Sequence, residues 1–313
     1  MTKWLLWPLA GLATAAFGIG SGLSACSKEE PPAASPTRAG SAEIFRFAPP
    51  DRTEYVRTER RSEELDLAGA PLHEVDSREL RWRTRIEASG DRYRVTQELV
   101  YVAVARDGEI LAQGTVPEGL SVTLWLDQQG NVTDVQGLER TAETLRSLVA
   151  PATEAELEEL VGPPYRLLFG DLVGRPAAPG SRWTIASPTG SLVESRTVTV
   201  AGREACGEAT CARLEIEFEL DPKEVTDAAA RRVRSSLGAA FEDPSKVSVE
   251  DVRYTMSGSV LLEPATMLSH GAALREAGTV TVVGPERRTI TMRFQSTTDL
   301  SYSYDDGRLS RAL

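Results

Sequence analysis

The sequence has few of the side chains that carry most protein chemistry. In 313 residues it has two histidines, His73 and His270, and three cysteines, Cys26, Cys206 and Cys211. The histidines sit in APLHEVD and MLSHGAA, with no motif around either, and read as loop residues making ordinary hydrogen bonds. No HExxH, CxxC or His/Cys cluster is present, so neither a metal nor a thiol-redox centre is expected. GxSxG, Ser-x-x-Lys and glycine-rich phosphate loops are absent as well, which removes the commonest serine-nucleophile and nucleotide signatures. No catalytic residue and no cofactor is therefore assigned. Lysine is scarce, with Lys3, Lys28, Lys223 and Lys246 the only four among 35 basic residues, and the net charge is −11. That balance argues against nucleic acid and anionic lipid surfaces as electrostatic partners. Long apolar runs are confined to the N-terminus; none of 18 residues occurs elsewhere, so no second spanning segment is expected. The apolar content is nonetheless 41%, ample for a folded core.

What is present begins with an address. Lys3 precedes an uncharged stretch over residues 4–23, followed by Leu23-Ser24-Ala25-Cys26. A basic start, an apolar run and small residues before a cut site are the parts of a secretory signal. The last four residues resemble the lipobox of bacterial lipoproteins, Leu-x-small-Cys. That resemblance implies cleavage between Ala25 and Cys26 and a diacylglyceryl thioether on Cys26, with further acylation such as palmitate on the new N-terminus. The alternative is an uncleaved membrane anchor. Several acyl chains hold a protein stably where one holds it marginally, at about 0.8 kcal/mol per buried CH₂. Residues 26–41 follow as a tether rich in Pro, Ala, Ser and charge. Ser27 is not the Asp of the inner-membrane retention pattern, so the resemblance implies the outer membrane, facing periplasm or cell surface.

The body reads as mainly β with helices, an α+β class. Trp82, Thr84 and Ile86 alternate with charged neighbours, Tyr93, Val95, Leu99 and Tyr101 share one side of the next run, and Leu120, Val122, Leu124 and Leu126 line a third. CARLEIEFEL alternates cleanly from Ala212 to Leu220, and Ile290, Met292, Phe294, Leu300, Tyr302 and Tyr304 all fall on even positions. The spacing predicts long strands in one or more curved antiparallel sheets, with two related halves as one reading: 42–172, ending in a helical segment, and 173–313. Two helical segments would cover the sheet. The first is LERTAETLRSL at 138–148, restarting at Thr153; the second spans 222–241, capped by Asp221 and carrying Val225, Ala229, Val233, Leu237 and Phe241 as an apolar stripe. DQQGNVTD, with Asp127, Asn131 and Asp134, reads as a hairpin turn; it lacks calcium-loop spacing. Cys206 and Cys211 face each other across a short hairpin loop, and an oxidising compartment would join them in a disulfide.

RPAAPGSRW around residues 175–183 gives P-x-x-P-G-x-x-W through Pro176, Pro179, Gly180 and Trp183. It resembles a group of uncharacterised bacterial lipoproteins in which a Pro-Gly turn and a Trp open a strand; that group implies no activity. More broadly, a lipid-anchored chain with long antiparallel strands and an apolar helix resembles the lipoprotein-carrier and envelope-stress-sensor folds. That resemblance implies acyl chains cradled between sheet and helices. The expected function is thus a non-catalytic envelope lipoprotein, held to the membrane by its lipid, that binds a lipid or an envelope protein. The alternatives are a purely structural surface lipoprotein and an unrecognised hydrolase using paired carboxylates.

Overall fold

The computed structural model describes residues 43–68, 73–116, 120–137, 171–187, 192–237, 248–283 and 289–304. The signal segment, Cys26, the tether and the helical stretch expected from 138 onward lie outside the described residues. Twelve strands run β1 (Thr53–Ala68), β2 (His73–Ser89), β3 (Arg92–Arg106), β4 (Glu109–Thr115), β5 (Ser121–Leu126), β6 (Val132–Gln136), β7 (Arg182–Ala186), β8 (Val193–Cys206), β9 (Ala209–Leu220), β10 (Ser248–Leu262), β11 (Ser269–Val283) and β12 (Thr289–Tyr304). Among the described residues there is one helix, α1 (Pro222–Leu237), rather than two, the first expected stretch lying outside them. Residues 238–241, the end of the expected stretch, lie outside the described residues.

The strands form one curved sheet in the order β6-β5-β3-β2-β1-β12-β11-β10-β9-β8-β7, with β4 paired to β3 beside that path. The two halves of the chain are therefore not separate half-sheets. Each is an antiparallel meander, and they fuse where the first strand pairs with the last, from Tyr55↔Tyr304 to Ala68↔Thr291. Strands of 15 to 17 residues at the centre, β1, β2, β3, β10, β11 and β12, make this a long seam.

Alternation along the strands sends one set of side chains inward. Trp82, Ile86, Val95, Leu99, Val122, Leu124 and Leu126 from one half, and Val198, Val200, Leu214, Ile216, Val260 and Leu262 from the other, belong to one buried cluster. The β3 pattern departs from the sequence reading at one point. Trp82 pairs with Leu99 but Arg81 pairs with Tyr101, so Val100 is a bulge and the faces exchange there. Tyr101 consequently points outward, where the Arg81 guanidinium stacks on its ring at 4.5 Å. Val102 and Val104 take over the inward positions and are buried.

Residues 43–48 close one end of this cluster. The Phe45 N–H donates to Arg175 O, the Gly174 N–H to Phe45 O, and the Arg46 N–H to Pro264 O. These bonds thread Phe45 and Phe47 into the cluster, Phe45 edge-on to Trp183 and Phe47 edge-on to Tyr93. The P-x-x-P-G-x-x-W motif supplies the other wall. Pro176 bridges Ile44, Ala177 is fully buried, Gly180 turns with φ +85°, and Trp183 lies on β7.

Helix α1 starts where the sequence places it. The Asp221 carboxylate accepts hydrogen bonds from the Lys223 and Glu224 N–H groups at 2.8 and 3.2 Å. Val225, Ala228 and Ala229 pack on Leu65, Met256, Val280, Met292 and Phe294 in a second inner cluster.

Candidate functional site

The residues flagged in the sequence fall at scattered places. Cys206 and Cys211 close the β8–β9 hairpin with a disulfide, Cα atoms 5.8 Å apart. A disulfide of this kind belongs to an oxidising, extracytoplasmic setting. His270 is not in a loop: it lies on β11, half-buried, with its ring 4.9 Å from that of Tyr304. Burial holds its imidazole below the ordinary histidine range, against an opposing pull from Glu263. His73 likewise opens a strand, β2. His270 and the two sulfurs lie within 4.8 Å of one another, but both sulfurs are spent in the disulfide and offer no thiolate to a metal. Asp127 is consumed by its own turn: Oδ1 accepts from the Gln129 and Asn131 N–H groups, and Oδ2 from Asn131 Nδ2.

The notable chemistry is on β1, a strand with no apolar alternation in its middle. Its inward residues run Tyr55, Arg57, Glu59, Arg61, Glu63 and Leu65. Arg57 is 1% exposed, Glu59 7% and Arg61 8%. A band of charge thus crosses the inner face between two apolar clusters.

Most of that band is paired. Arg78 Nη2 donates to Glu59 Oε1 at 2.9 Å, and Arg106 Nε to Asp76 Oδ1 at 2.8 Å. Arg61 stands between two carboxylates, its Nε 3.5 Å from Glu63 and its Nη2 3.8 Å from Glu276. Burial pulls the Arg61 guanidinium down, yet Glu63, Glu276 and Glu59 together leave it above its ordinary value. The Tyr254 hydroxyl donates to Glu276 Oε1 at 2.7 Å. Burial pushes the Glu276 carboxyl up to about 7, against the opposing pull of Arg61 and of the Tyr254 hydrogen bond. Burial, with Glu276 beside it, raises Tyr254 further still. Two carboxylates close together with a perturbed pKa are what a hydrolase would show. The void touching Tyr254, beside α1, is about 10 Å³, no larger than one water, and neither Glu63 nor Glu276 lines it. That void is lined by Leu192, Val225, Val252, Tyr254, Val280 and Phe294, where the first half of α1 packs on the sheet.

Arg57 is different. Its guanidinium sits 5.7 Å over the Trp82 ring, and among the described residues nothing hydrogen-bonds its Nε or Nη2. Nor does anything meet Trp82 Nε1, Thr84 Oγ1, or Gln97 Oε1 and Nε2. Trp82, Thr84 and Gln97 are all fully buried. The register joins the four: Arg57 pairs with Trp82, and Tyr55 with Thr84, which pairs with Gln97. Leu80, Ile86, Leu99 and Val122 surround them on the same face. A buried polar group without a partner costs about 1–3 kcal/mol, and a charged one more. Four adjacent ones are unusual in a native core.

The outer face presents a contrast. A groove of about 470 Å³ lies there, floored by Ser62, Ser77, Ala103 and Ala105 and walled by Arg60, Glu79 and Ile110. Its Arg60 and Glu79 pair with each other at 3.0 Å, and Arg61 and Arg78 of the buried band reach its lining. Ile110 (63% exposed) and Leu111 project from the neighbouring strand β4.

No family model matches the chain, and no curated protein does either. Among solved structures it is similar to lipovitellin, described for its lipid–protein interactions, at 10% identity and a TM-score of 0.42 over 81% of this chain; it spans about a quarter, 25%, of that one. It is also similar to an exported protein of YmcC-like fold from Bacteroides fragilis, at 12% identity and a TM-score of 0.24, covering 83% of this chain and 99% of that one. A DUF1329 family protein from Desulfovibrio piger matches at 10% identity and a TM-score of 0.19 over 86% and 88% of the two chains. Every one of these scores is below 0.5, and no property of those proteins is carried to this chain.

Proposed function

We propose that the chain is a non-catalytic, lipid-anchored protein of the cell envelope whose inner sheet face binds a ligand with a hydrophobic body. The observation that carries this reading is the lining of that face: extended apolar clusters with a few buried, partnerless polar groups set among them. Ligand sites have this composition, mostly apolar with a small number of placed polar groups that fix orientation. Export and anchoring rest on the LSAC motif at Leu23–Cys26 and are consistent with the Cys206–Cys211 disulfide. Outer-membrane placement follows from Ser27. The non-catalytic reading rests on the sequence, which carries none of the common serine-nucleophile, thiol-redox or metal-ligand motifs.

Trp82 on the inner face provides the test. A brominated sixteen-carbon alcohol bound there quenches tryptophan fluorescence saturably, and Trp82→Phe loses most of the quenching. Quenching that is linear in ligand, or unchanged by Trp82→Phe, contradicts the reading. Anchoring is tested separately: palmitate labels the wild type and not Cys26→Ala, and equal labelling of both contradicts it. A protein partner is the second reading, favoured by Ile110 and Leu111 exposed on β4, a strand paired only to β3 among the described residues.

A further inference from the structure

We infer that Arg57, Trp82, Thr84 and Gln97 form the head-group site of an amphiphile, taking an oxyanion: the carboxylate of a long-chain acid or the phosphate of an alkyl or acyl phosphate. This deepens the hydrophobic-ligand reading and rests on it. The two unbonded nitrogens of Arg57, Nε and Nη2, form the side edge of the guanidinium. That edge takes a carboxylate or phosphate side-on through two parallel N–H···O bonds. Trp82 Nε1 and Gln97 Nε2 are further donors, and Thr84 Oγ1 is a donor or acceptor. The cluster therefore offers one fixed positive charge and several neutral donors.

The other cations of the inner band do not compete for this role. Arg61, Arg78 and Arg106 each have a carboxylate partner. For Arg57 the only described contact that offsets its charge is the face of Trp82. Arriving anionic oxygen supplies what the protein does not. A neutral ligand leaves the guanidinium unpaired, and a cationic one is repelled. The apolar neighbours, Leu80, Ile86, Leu99 and Val122, stand on adjoining strands, where a hydrocarbon chain leaving the head group would lie. Tyr55 and Tyr302, with rings 5.6 Å apart, flank Arg57 on the side of β12. Arg57 Nε and Nη2, Trp82 Nε1, Thr84 Oγ1 and the Gln97 amide are closed to solvent, so the head group must part the side chains over them.

The test measures binding of palmitate, hexadecyl phosphate and methyl palmitate to the full-length protein and to Arg57→Met, a variant of similar length that removes a buried unpaired charge. The wild type is expected to bind at least one of the two acids at least about tenfold tighter than the ester, as for a hydrogen-bonded ion pair. In Arg57→Met that preference disappears while ester binding persists. The acid that is preferred tells carboxylate from phosphate. Gln97→Met should reduce the preference without abolishing it. If acids and ester bind the wild type equally, the head-group inference falls and the hydrophobic-ligand reading stands. If none of the three binds, the reading itself falls and takes the inference with it. If Arg57→Met folds, melts higher and binds every ligand as before, the cluster is a structural feature only, and the inference is overturned.

Discussion

Glu276 provides a sharp test of the buried charge band. Its carboxyl is 3% exposed and its pKa is raised from 4.5 to about 7, by burial first, with Glu63 adding to the rise and Arg61 and the Tyr254 hydroxyl opposing it. The folded state therefore holds this proton more tightly than the unfolded chain does. The stabilisation is complete below pH 4.5 and is lost as the pH rises through about 7. The gap between 4.5 and about 7, at about 1.4 kcal/mol per pH unit, sets its size at about 3 kcal/mol. Glu276→Gln keeps the shape and still accepts from Tyr254 through Oε1, but it cannot ionise. Urea unfolding of both proteins from pH 4.5 to 8.5 cancels contributions from the other carboxylates. The stability of the Gln variant relative to wild type should rise by about 3 kcal/mol across that window, most steeply between the two pKa values and levelling off above about 7. Parallel curves would refute the reasoning, because they would mean that Glu276 is solvated or that Arg61 holds it ionised throughout.

Three further outcomes follow from local geometry. Replacing Cys206 and Cys211 by Ser should lower stability by about 2 kcal/mol, the chain-entropy value for so short a loop, and thiol titration of the unfolded wild type should find neither free without reductant. Gly278→Ala should destabilise by about 1–3 kcal/mol in thermal unfolding, since a Cβ there meets Arg253 O at 2.6 Å and the Phe294 ring at 2.6 Å. Asp221→Ala should cost about 1 kcal/mol by removing the α1 cap, and Asp221→Asn should recover most of it.

The sequence showed the architecture where burial is one-sided. Ala212, Leu214 and Ile216 alternate with charge and lie buried where the period places them. The even-numbered residues of β12 keep one face through sixteen residues, from Thr289 to Tyr304. Asp221 announced its helix. Tyr101 was misplaced because a bulge at Val100 breaks the period without any Gly or Pro to mark it. The candidate site itself was hidden for a physical reason. Alternation finds strands by their apolar face, and β1 turns Arg57, Glu59, Arg61 and Glu63 inward, so the period vanishes in the strand that joins the two halves. A run such as TEYVRTERRSEELDLA looks like a solvated segment. Only its pairing between β2 and β12 shows that its charges are buried. The spacing places Trp82 and Thr84 on one strand face, but nothing in it tells a satisfied hydroxyl or indole N–H from an unsatisfied one.

The central claim is that the inner face holds a ligand with a hydrocarbon body. Native mass spectrometry of the full-length protein, released gently from membranes, tests it most directly. The account predicts a discrete non-covalent adduct, in addition to the lipid on Cys26, whose mass is that of an amphiphile and which is lost on organic extraction and regained on re-addition. A single bare protein mass that stays bare when long-chain amphiphiles are added would contradict it.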